Sequence, residues 1–152
     1  MSTTIQLPNQ AFPATTGEVN LTELGTDWLV VYFYPKDSTP GCTTQAVDFT
    51  ALKPQFDALN TTIIGISLDS VKAHQNFTEK QSLGINLISD KEEELCQLFE
   101  VIKEKNMYGK KVMGIERSTF IFHQGQLIKE YRKVKAAGHA EQVLADLTAL
   151  QA

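Results

Sequence analysis

Cys42 lies in a turn-rich loop that could deliver a reactive thiol to the beginning of a helix. Residues 35–45 read Pro-Lys-Asp-Ser-Thr-Pro-Gly-Cys-Thr-Thr-Gln. A thiol at a helix N-terminus meets unpaired backbone N–H groups and the positive end of the helix dipole, and both favour the thiolate. The thiolate is the nucleophilic form of cysteine. The sequence therefore predicts that Cys42 is a chemically active residue.

The same loop holds groups that could assist a reaction at Cys42. When sulfur attacks an oxygen atom, negative charge develops on the leaving oxygen, and hydrogen-bond donors held around that oxygen lower the barrier. The hydroxyl of Thr39, the backbone N–H groups near Gly41 and an arginine are candidate donors. Pro35 has a fixed backbone angle φ, and we expect it to shield the thiolate from water without adding a competing donor.

The second cysteine, Cys96, is far from the first along the chain. Two cysteines at this separation exclude both a disulfide-rich scaffold and a zinc-ribbon spacing. On its predicted helix Cys96 lies at the border of the apolar stripe, where its side chain could be buried or accessible. A small buried residue is the favoured interpretation, and a partner of Cys42 is the alternative. The three histidines form no metal-binding spacing, so we expect no metal and no cofactor.

The elements that must position Cys42 are predicted from hydrophobic patterns. Residues 28–34 and 61–68 are apolar runs rich in β-branched and aromatic side chains, typical of buried strands. Between them, apolar residues recur at spacings of three and four, which indicates a helix. Pro54 is expected to kink or break that helix near Lys53. Strand, helix and strand then form a right-handed parallel βαβ unit.

The remainder of the chain predicts a ββα half. The expected elements are a helix over 71–80, a strand at 87–88, a helix from Asp90 to about Ile102, a hairpin of 118–122 with 127–131, and a C-terminal helix through 143–150. The chain up to about Leu24 is expected to pack as an extra hairpin or strand. The order predicts a single α/β domain over 1–152. A thioredoxin-like sandwich with a central mixed β-sheet flanked by helices and an N-terminal extension fits best, although other small α/β folds stay open.

Composition excludes several classes of partner. The chain has 152 residues, of which 42% are hydrophobic and 21% charged, as is ordinary for a soluble globular protein. A net charge of −4 with scattered basic residues predicts no nucleic-acid partner and no anionic membrane surface. The sequence shows no secretory leader and no apolar run of about 18 residues. A cytoplasmic monomer without a membrane anchor is therefore expected.

Two blocks of sequence resemble the peroxiredoxin family, in its peroxiredoxin Q or bacterioferritin-comigratory-protein branch. The first block is the pattern Pro-x-x-x-Thr-x-x-Cys within residues 32–43, and the second comprises 104–110 and 114–120. The resemblance implies that Cys42 is the peroxidatic cysteine and that Thr39 and Arg117 orient peroxide and thiolate. It also implies that Pro35 covers the pocket.

The resemblance further implies a thiol-dependent peroxidase for antioxidant defence, which reduces hydrogen peroxide and organic hydroperoxides through a sulfenic acid at Cys42. Many members of this branch carry a resolving cysteine later on the same helix or on the following helix. This chain has Val47 and the residues around Thr78 at those positions. The expected reductant is therefore an external thiol, either thioredoxin or glutathione with glutaredoxin, and Cys96 is the one internal alternative.

Two other functions are alternatives on the same fold. A disulfide oxidoreductase of the thioredoxin type needs Cys-x-x-Cys, whereas residues 42–45 read Cys-Thr-Thr-Gln. The second alternative is a redox-silent binding module or holdase. The presence of Pro35, Thr39 and Cys42 together with Arg117 argues against it. Stoichiometric consumption of peroxide without any reductant would distinguish a peroxidase from a binding module.

Overall fold

A seven-stranded mixed sheet is built around the two apolar runs. The computed structural model describes residues 5–24, 27–107 and 109–152. In chain order the elements are β1 (Ala11–Ala14), β2 (Gly17–Asn20), α1 (Leu21–Leu24), β3 (Trp28–Phe33), α2 (Pro40–Ala58), β4 (Thr61–Ser67), α3 (Val71–Gln81), β5 (Asn86–Ser89), α4 (Glu94–Leu98), β6 (Ile102–Met107), β7 (Lys110–Ile115), β8 (Ser118–His123), β9 (Gln126–Tyr131) and α5 (His139–Leu150). The strand order is β2-β1-β5-β4-β3-β8-β9, and β6 pairs with β7 separately.

The pairing directions agree with the sequence patterns. Strands β3, β4 and β5 run parallel to one another, while β8 lies antiparallel to β3 and pairs with β9 as a hairpin. The N-terminal hairpin of β1 and β2 joins the sheet through β5. The predicted βαβ unit, the later hairpin, the C-terminal helix and the N-terminal hairpin are therefore confirmed.

The two faces of the sheet are covered by two separate hydrophobic cores. Alternate side chains of a strand point to opposite faces. In β3, Leu29, Val31 and Phe33 face a core that we call the α4 core, which α4 and the N-terminal hairpin complete. Val30 and Tyr32 face the α2 core, which α2, α3 and α5 complete. A side chain belongs to one core or the other, and the sheet separates them.

Helix α2 runs through Pro54 without a break, so of the kink or break expected near Lys53 the break is wrong. A proline inside a helix costs roughly 3 kcal/mol locally. Phe49 and Phe56 lie on either side of Pro54 and are both fully buried in the α2 core, and burial of two aromatic side chains outweighs that cost. Although α2 has 19 residues, no helix in the described part of the chain is apolar enough to cross a membrane.

Helix α4 is shorter than the sequence pattern predicts. It spans Glu94–Leu98 instead of beginning at Asp90, and Ile102 is already in a strand. The Asp90 carboxylate accepts hydrogen bonds from the backbone N–H groups of Leu95 at 3.2 Å and Cys96 at 2.8 Å. Asp90 therefore precedes the helix and satisfies its free N–H groups from outside, as an N-terminal cap does.

The hairpin of β6 and β7 was not predicted from the sequence. Its described side chains include the exposed residues 103–104 and 110–113, so the alternation of buried and exposed positions that marks a strand is missing. Tyr108, which belongs to the second block of resemblance, lies outside the described residues. The hairpin leads directly into Glu116 and Arg117 before β8 begins.

Gly65 on β4 provides a test of packing in the sheet. A Cβ atom at this position would lie 2.7 Å from Leu87 Cδ2 and 2.9 Å from the Tyr32 ring. We expect Gly65→Ala to lower the free energy of unfolding by about 1–3 kcal/mol through overpacking. The matched control is Gly84→Ala, whose Cβ would lie 3.4 Å from Lys53 and should change stability by less than about 0.5 kcal/mol. Urea denaturation of the three proteins measures the difference, and equal midpoints for Gly65→Ala and the parent would contradict it.

Candidate active site

Cys42 occupies the first turn of α2, as the sequence predicts. Thr39 is the N-cap residue in extended conformation, Pro40 is the first helical residue, and Cys42 follows Gly41. The Cys42 side chain is only 1% exposed and belongs to the α2 core. The helix N-terminus and the low exposure together give a site in which a sulfur anion meets the positive end of the helix dipole away from bulk water.

Arg117 reaches the sulfur from the position immediately before β8. Ser118, the first residue of β8, pairs with Phe33 at the end of β3, and therefore Arg117 lies close to the point where the chain turns into α2. Arg117 Nη2 donates to Cys42 Sγ at 3.3 Å. The Arg117 backbone carbonyl accepts a hydrogen bond from Val134 N–H at 2.9 Å. A guanidinium at this distance stabilises negative charge on the sulfur and offers further N–H donors to a bound substrate.

Gln45 is a member of the site that the sequence analysis did not select. It follows Cys42 by one helical turn, is fully buried, and accepts a hydrogen bond from Arg117 Nη1 at 2.6 Å through its side-chain oxygen. The two side chains share a helix face, because residues three apart are neighbours on a helix. That spacing was the available signal. Gln45 also occupies the position at which a dithiol oxidoreductase would hold its second cysteine.

The structure also shows where Thr39 and Pro35, the other loop residues predicted for the site, lie. The Thr39 hydroxyl donates to the carbonyl of Lys36 at 2.8 Å, so its single proton is not directed at the sulfur, although its oxygen can still accept. Pro35 begins the loop and is exposed. The structure thus brings Arg117 into contact with Cys42, whereas Thr39 lies at the helix cap and Pro35 at the surface.

Tyr32 contributes a neutral hydroxyl beside the site. Its ring lies in the α2 core, and its buried oxygen has no hydrogen-bond partner within the described residues. Burial raises the pKa of Tyr32, and negative charge on Cys42 and Asp37 raises it further. The phenol therefore remains protonated near neutral pH.

His139 is the second neutral group near Arg117. It begins α5, is buried, and has Nε2 at 2.8 Å from Thr119 Oγ1. Burial lowers the pKa of His139 to about 4, and the positive charge of Arg117 adds to the lowering. The histidine is uncharged near neutral pH. His139 thus has a packing role, as does His123, which stacks on Trp28 at 4.1 Å between ring centroids.

Cys96 is buried on the opposite side of the sheet. It is fully buried in the α4 core, whereas Cys42 belongs to the α2 core, so the sheet lies between the two sulfurs. Burial raises the pKa of the Cys96 thiol, and the neighbouring carboxylates of Asp90 and Glu93 raise it further. The alternative between buried and accessible is thus decided in favour of burial, and both cysteines are free thiols.

The two positions at which the resemblance would place a second cysteine have different environments. Val47 is 38% exposed on α2. Thr78 lies on α3 next to Phe77, which packs in the α2 core. The buried Thr78 hydroxyl has no hydrogen-bond partner among the described residues. Over those same residues, no group of three or more His, Cys, Asp or Glu side chains is arranged to hold a metal ion.

Comparison with known proteins gives consistent matches along the chain. A profile described as the AhpC/TSA family matches residues 3–131. Peroxiredoxin Bcp of Xanthomonas campestris is 61% identical over 123 residues, which cover 80% of this chain and 77% of that protein. Peroxiredoxin Bcp of Bacillus subtilis is 47% identical over 130 residues, which cover 85% of this chain and 83% of that protein.

Solved structures show the same relationship. The bacterioferritin comigratory protein of Xanthomonas campestris, described for its alkyl peroxide reduction activity, matches with a TM-score of 0.89 and 52% identity, covering 95% of this chain and 96% of that chain. PrxQ of Xylella fastidiosa matches with a TM-score of 0.92 and 42% identity, covering 97% of each chain. The thioredoxin-like α/β fold expected from the order of elements is therefore confirmed.

The pKa of His139 predicts a pH-dependent loss of stability. The unfolded chain binds a proton at this histidine near pH 6.5, whereas the folded chain resists it until about pH 4. Acidification between these values therefore favours unfolding, and His139 contributes about 3 kcal/mol to the loss by pH 4. His139→Gln should remove that contribution, so that its unfolding free energy falls less steeply with acid. Urea denaturation across this range measures both profiles, and parallel curves would contradict the assignment.

Proposed function

We propose that Cys42 is the residue that reduces a peroxide, because this chain belongs to the AhpC/TSA family and is a thiol-dependent peroxidase. The observation that carries the proposal is the 3.3 Å contact from Arg117 Nη2 to Cys42 Sγ at the start of α2. A thiol with a guanidinium donor and a helix N-terminus beside it has what nucleophilic attack on oxygen needs.

The first step oxidises Cys42 by two electrons. The thiolate attacks one oxygen of the peroxide, the O–O bond breaks, and the second oxygen leaves with the bonding pair and takes up a proton to become water or an alcohol. The sulfur becomes a sulfenic acid. Negative charge moves from sulfur to the leaving oxygen in this step, and Arg117 has N–H donors for both atoms.

Gln45, Thr39 and Pro35 are proposed to support this step. Gln45 holds the Arg117 guanidinium through its 2.6 Å hydrogen bond and so fixes the direction of the remaining donors. The Thr39 oxygen lies at the helix cap, where it is proposed to accept a hydrogen bond from the peroxide O–H. Pro35 begins the loop and is proposed to limit access of water when substrate is bound.

Hydrogen peroxide and organic hydroperoxides are the proposed substrates. The alkyl peroxide reduction activity of the Xanthomonas campestris protein supports the organic class, because that protein is 52% identical over nearly the whole chain. We also propose that the chain acts in the cytoplasm as a monomer of one domain over residues 1–152. Two free thiols are compatible with such a reducing compartment.

An external thiol is proposed to complete the cycle. The thiol attacks the sulfenic sulfur and releases water, which leaves a mixed disulfide. A second thiol then attacks the mixed disulfide and regenerates Cys42. Thioredoxin, or glutathione with glutaredoxin, supplies the two thiols. The position of Cys96 in the opposite core supports an external donor, since a bond between Cys96 and Cys42 would have to cross the sheet.

Substitution of each cysteine tests the assignment of the nucleophile. Cys42→Ser should abolish peroxide consumption, because a hydroxyl is not ionised and cannot replace the attacking thiolate. Cys96→Ser, the matched control, should form sulfenic acid stoichiometrically and turn over with the same thiol system as the parent. Peroxide consumption and mass spectrometry under non-reducing conditions measure both.

Two results would contradict these assignments. Substantial peroxidase activity in Cys42→Ser would reject Cys42 as nucleophile. A Cys96→Ser protein that forms sulfenic acid but is not recycled would show that Cys96 resolves it.

With an external reductant, excess peroxide should inactivate the parent by further oxidation of the waiting sulfenic acid, and added thiol should protect it.

Replacement of Arg117 tests the contribution of the guanidinium. Arg117→Met should slow oxidation of Cys42 by hydrogen peroxide roughly a hundredfold, because a positive charge and a transition-state donor are both lost. Arg132→Met is the matched control. Arg132 donates to the carbonyl of Glu100 at 2.9 Å, away from the sulfur. The rate of peroxide consumption measures the effect, and equal rates for Arg117→Met and the parent would mean that another group activates Cys42.

A further inference from the structure

A buried pair of side chains, Asp37 and His74, joins the loop that leads to Cys42 to helix α3. Asp37 belongs to that loop and is 7% exposed, and His74 is a fully buried residue of α3. His74 Nδ1 lies 2.7 Å from one oxygen of the Asp37 carboxylate, and the Tyr34 hydroxyl donates to the other oxygen at 2.5 Å. The proposed peroxide chemistry uses none of these groups.

The hydrogen bonds of His74 determine where its protons lie. Nε2 is 2.9 Å from the backbone carbonyl oxygen of Ile88 on β5, and a carbonyl oxygen only accepts, so Nε2 must carry a hydrogen. A second proton then lies between Nδ1 and Asp37. Whether it is on nitrogen or on oxygen, it joins the active-site loop to α3 by a short hydrogen bond inside the protein. Such a bond is strong in a low-dielectric interior and costly to break.

The loop is also held through its backbone. The N–H of Asp37 donates to the Asp69 carboxylate at 2.9 Å, and the same Asp69 oxygen accepts from the Ser67 hydroxyl at 2.7 Å. Ser67 is the last residue of β4, so that this contact fixes Asp37 to the end of the central strand. Asp37 is thereby anchored by its main chain to β4 and by its side chain to α3.

The anchored loop contains a strained residue next to the helix start. Ser38 has φ of 63°, in the left-handed region that a residue with a side chain occupies at a cost of roughly 1–2 kcal/mol. Thr39, the N-cap of α2, comes immediately after it. A strained backbone persists only where its surroundings hold it, and the contacts of Asp37 lie one residue away.

We propose that Asp37 and His74 form a clamp that positions the first turn of α2, and with it the Cys42 sulfur, against Arg117. The inference rests on the proposed role of Cys42 as the peroxide-reducing residue. Both members are positioning residues, since they act on the reacting atoms through the loop. Peroxide reduction needs sulfur and donors in a fixed arrangement, whereas alkylation by iodoacetamide needs only an accessible thiolate. Loss of the clamp should therefore change the two rates in opposite directions.

The experiment compares both rates in a Cys96→Ser background, in which Cys42 is the sole thiol. His74→Phe removes both ring nitrogens and keeps an aromatic ring. We expect oxidation by hydrogen peroxide to slow roughly tenfold to a hundredfold, because small displacements of reacting groups have effects of this size. Alkylation should become severalfold faster, because the buried sulfur becomes exposed. His74→Asn, whose side-chain amide can form a hydrogen bond with Asp37 in place of Nδ1, should recover most of the peroxide rate. His123→Phe makes the same exchange at the stacked histidine and should change neither rate.

If His74→Phe does not fold, Asp37→Ala serves as the second variant, because it removes the loop residue of the clamp. Like His74→Phe, it should slow oxidation by hydrogen peroxide and make alkylation by iodoacetamide faster. Rates within twofold of the parent in the folded variants would overturn the clamp. So would changes in the two rates that the unfolded fraction, measured in the same solutions by circular dichroism, accounts for completely, because unfolding alone also exposes the Cys42 sulfur to iodoacetamide and removes the peroxide site. Failure of the clamp leaves the parent active with peroxide, whereas failure of the proposed function would appear as peroxide consumption by Cys42→Ser.

Discussion

The contact between the Arg117 guanidinium and the Cys42 sulfur depends on the antiparallel pairing of β3 with β8. Because Phe33 pairs with Ser118, the end of one strand and the start of the other lie at the same edge of the sheet. Helix α2 leaves from that edge with Cys42 in its first turn, and Arg117 enters at the same place. A shift of the pairing register would separate the two residues and point the β8 side chains to the other faces. The chemistry therefore depends on the register of one strand pair.

Charge in this region is restricted by burial. The phenol of Tyr32 and the imidazole of His139 are both kept neutral near neutral pH, and Arg117 itself favours the neutral form of His139. The guanidinium is held by Gln45 instead of a carboxylate. A carboxylate there would neutralise part of the positive charge, whereas a neutral amide fixes the geometry and leaves the charge available to the sulfur.

Local patterns predicted the strands, most helices and the position of Cys42 at the start of a helix, because each depends on residues that are close in sequence. The apolar run of β3 and the loop before Cys42 are examples. Arg117 was identified only through resemblance to a family, since nothing local distinguishes it from a surface arginine. Gln45 and the Asp37–His74 pair were missed because their roles arise from contacts between distant segments. Similarly, Pro54 is tolerated in a continuous helix because of aromatic burial that a local rule does not include.

The buried hydroxyl of Thr78 bears on how readily this fold changes its redox chemistry. An unpaired buried hydroxyl destabilises a protein by roughly 1–3 kcal/mol, whereas cysteine behaves as a small apolar residue of similar size. Helix α3 lies on the same face of the sheet as Cys42, in contrast to Cys96. A cysteine at position 78 would therefore remove an unsatisfied polar group while adding a thiol on the reactive side. One substitution, which replaces the Thr78 hydroxyl by a thiol and removes its methyl group, would thus place a second cysteine on the Cys42 side of the sheet.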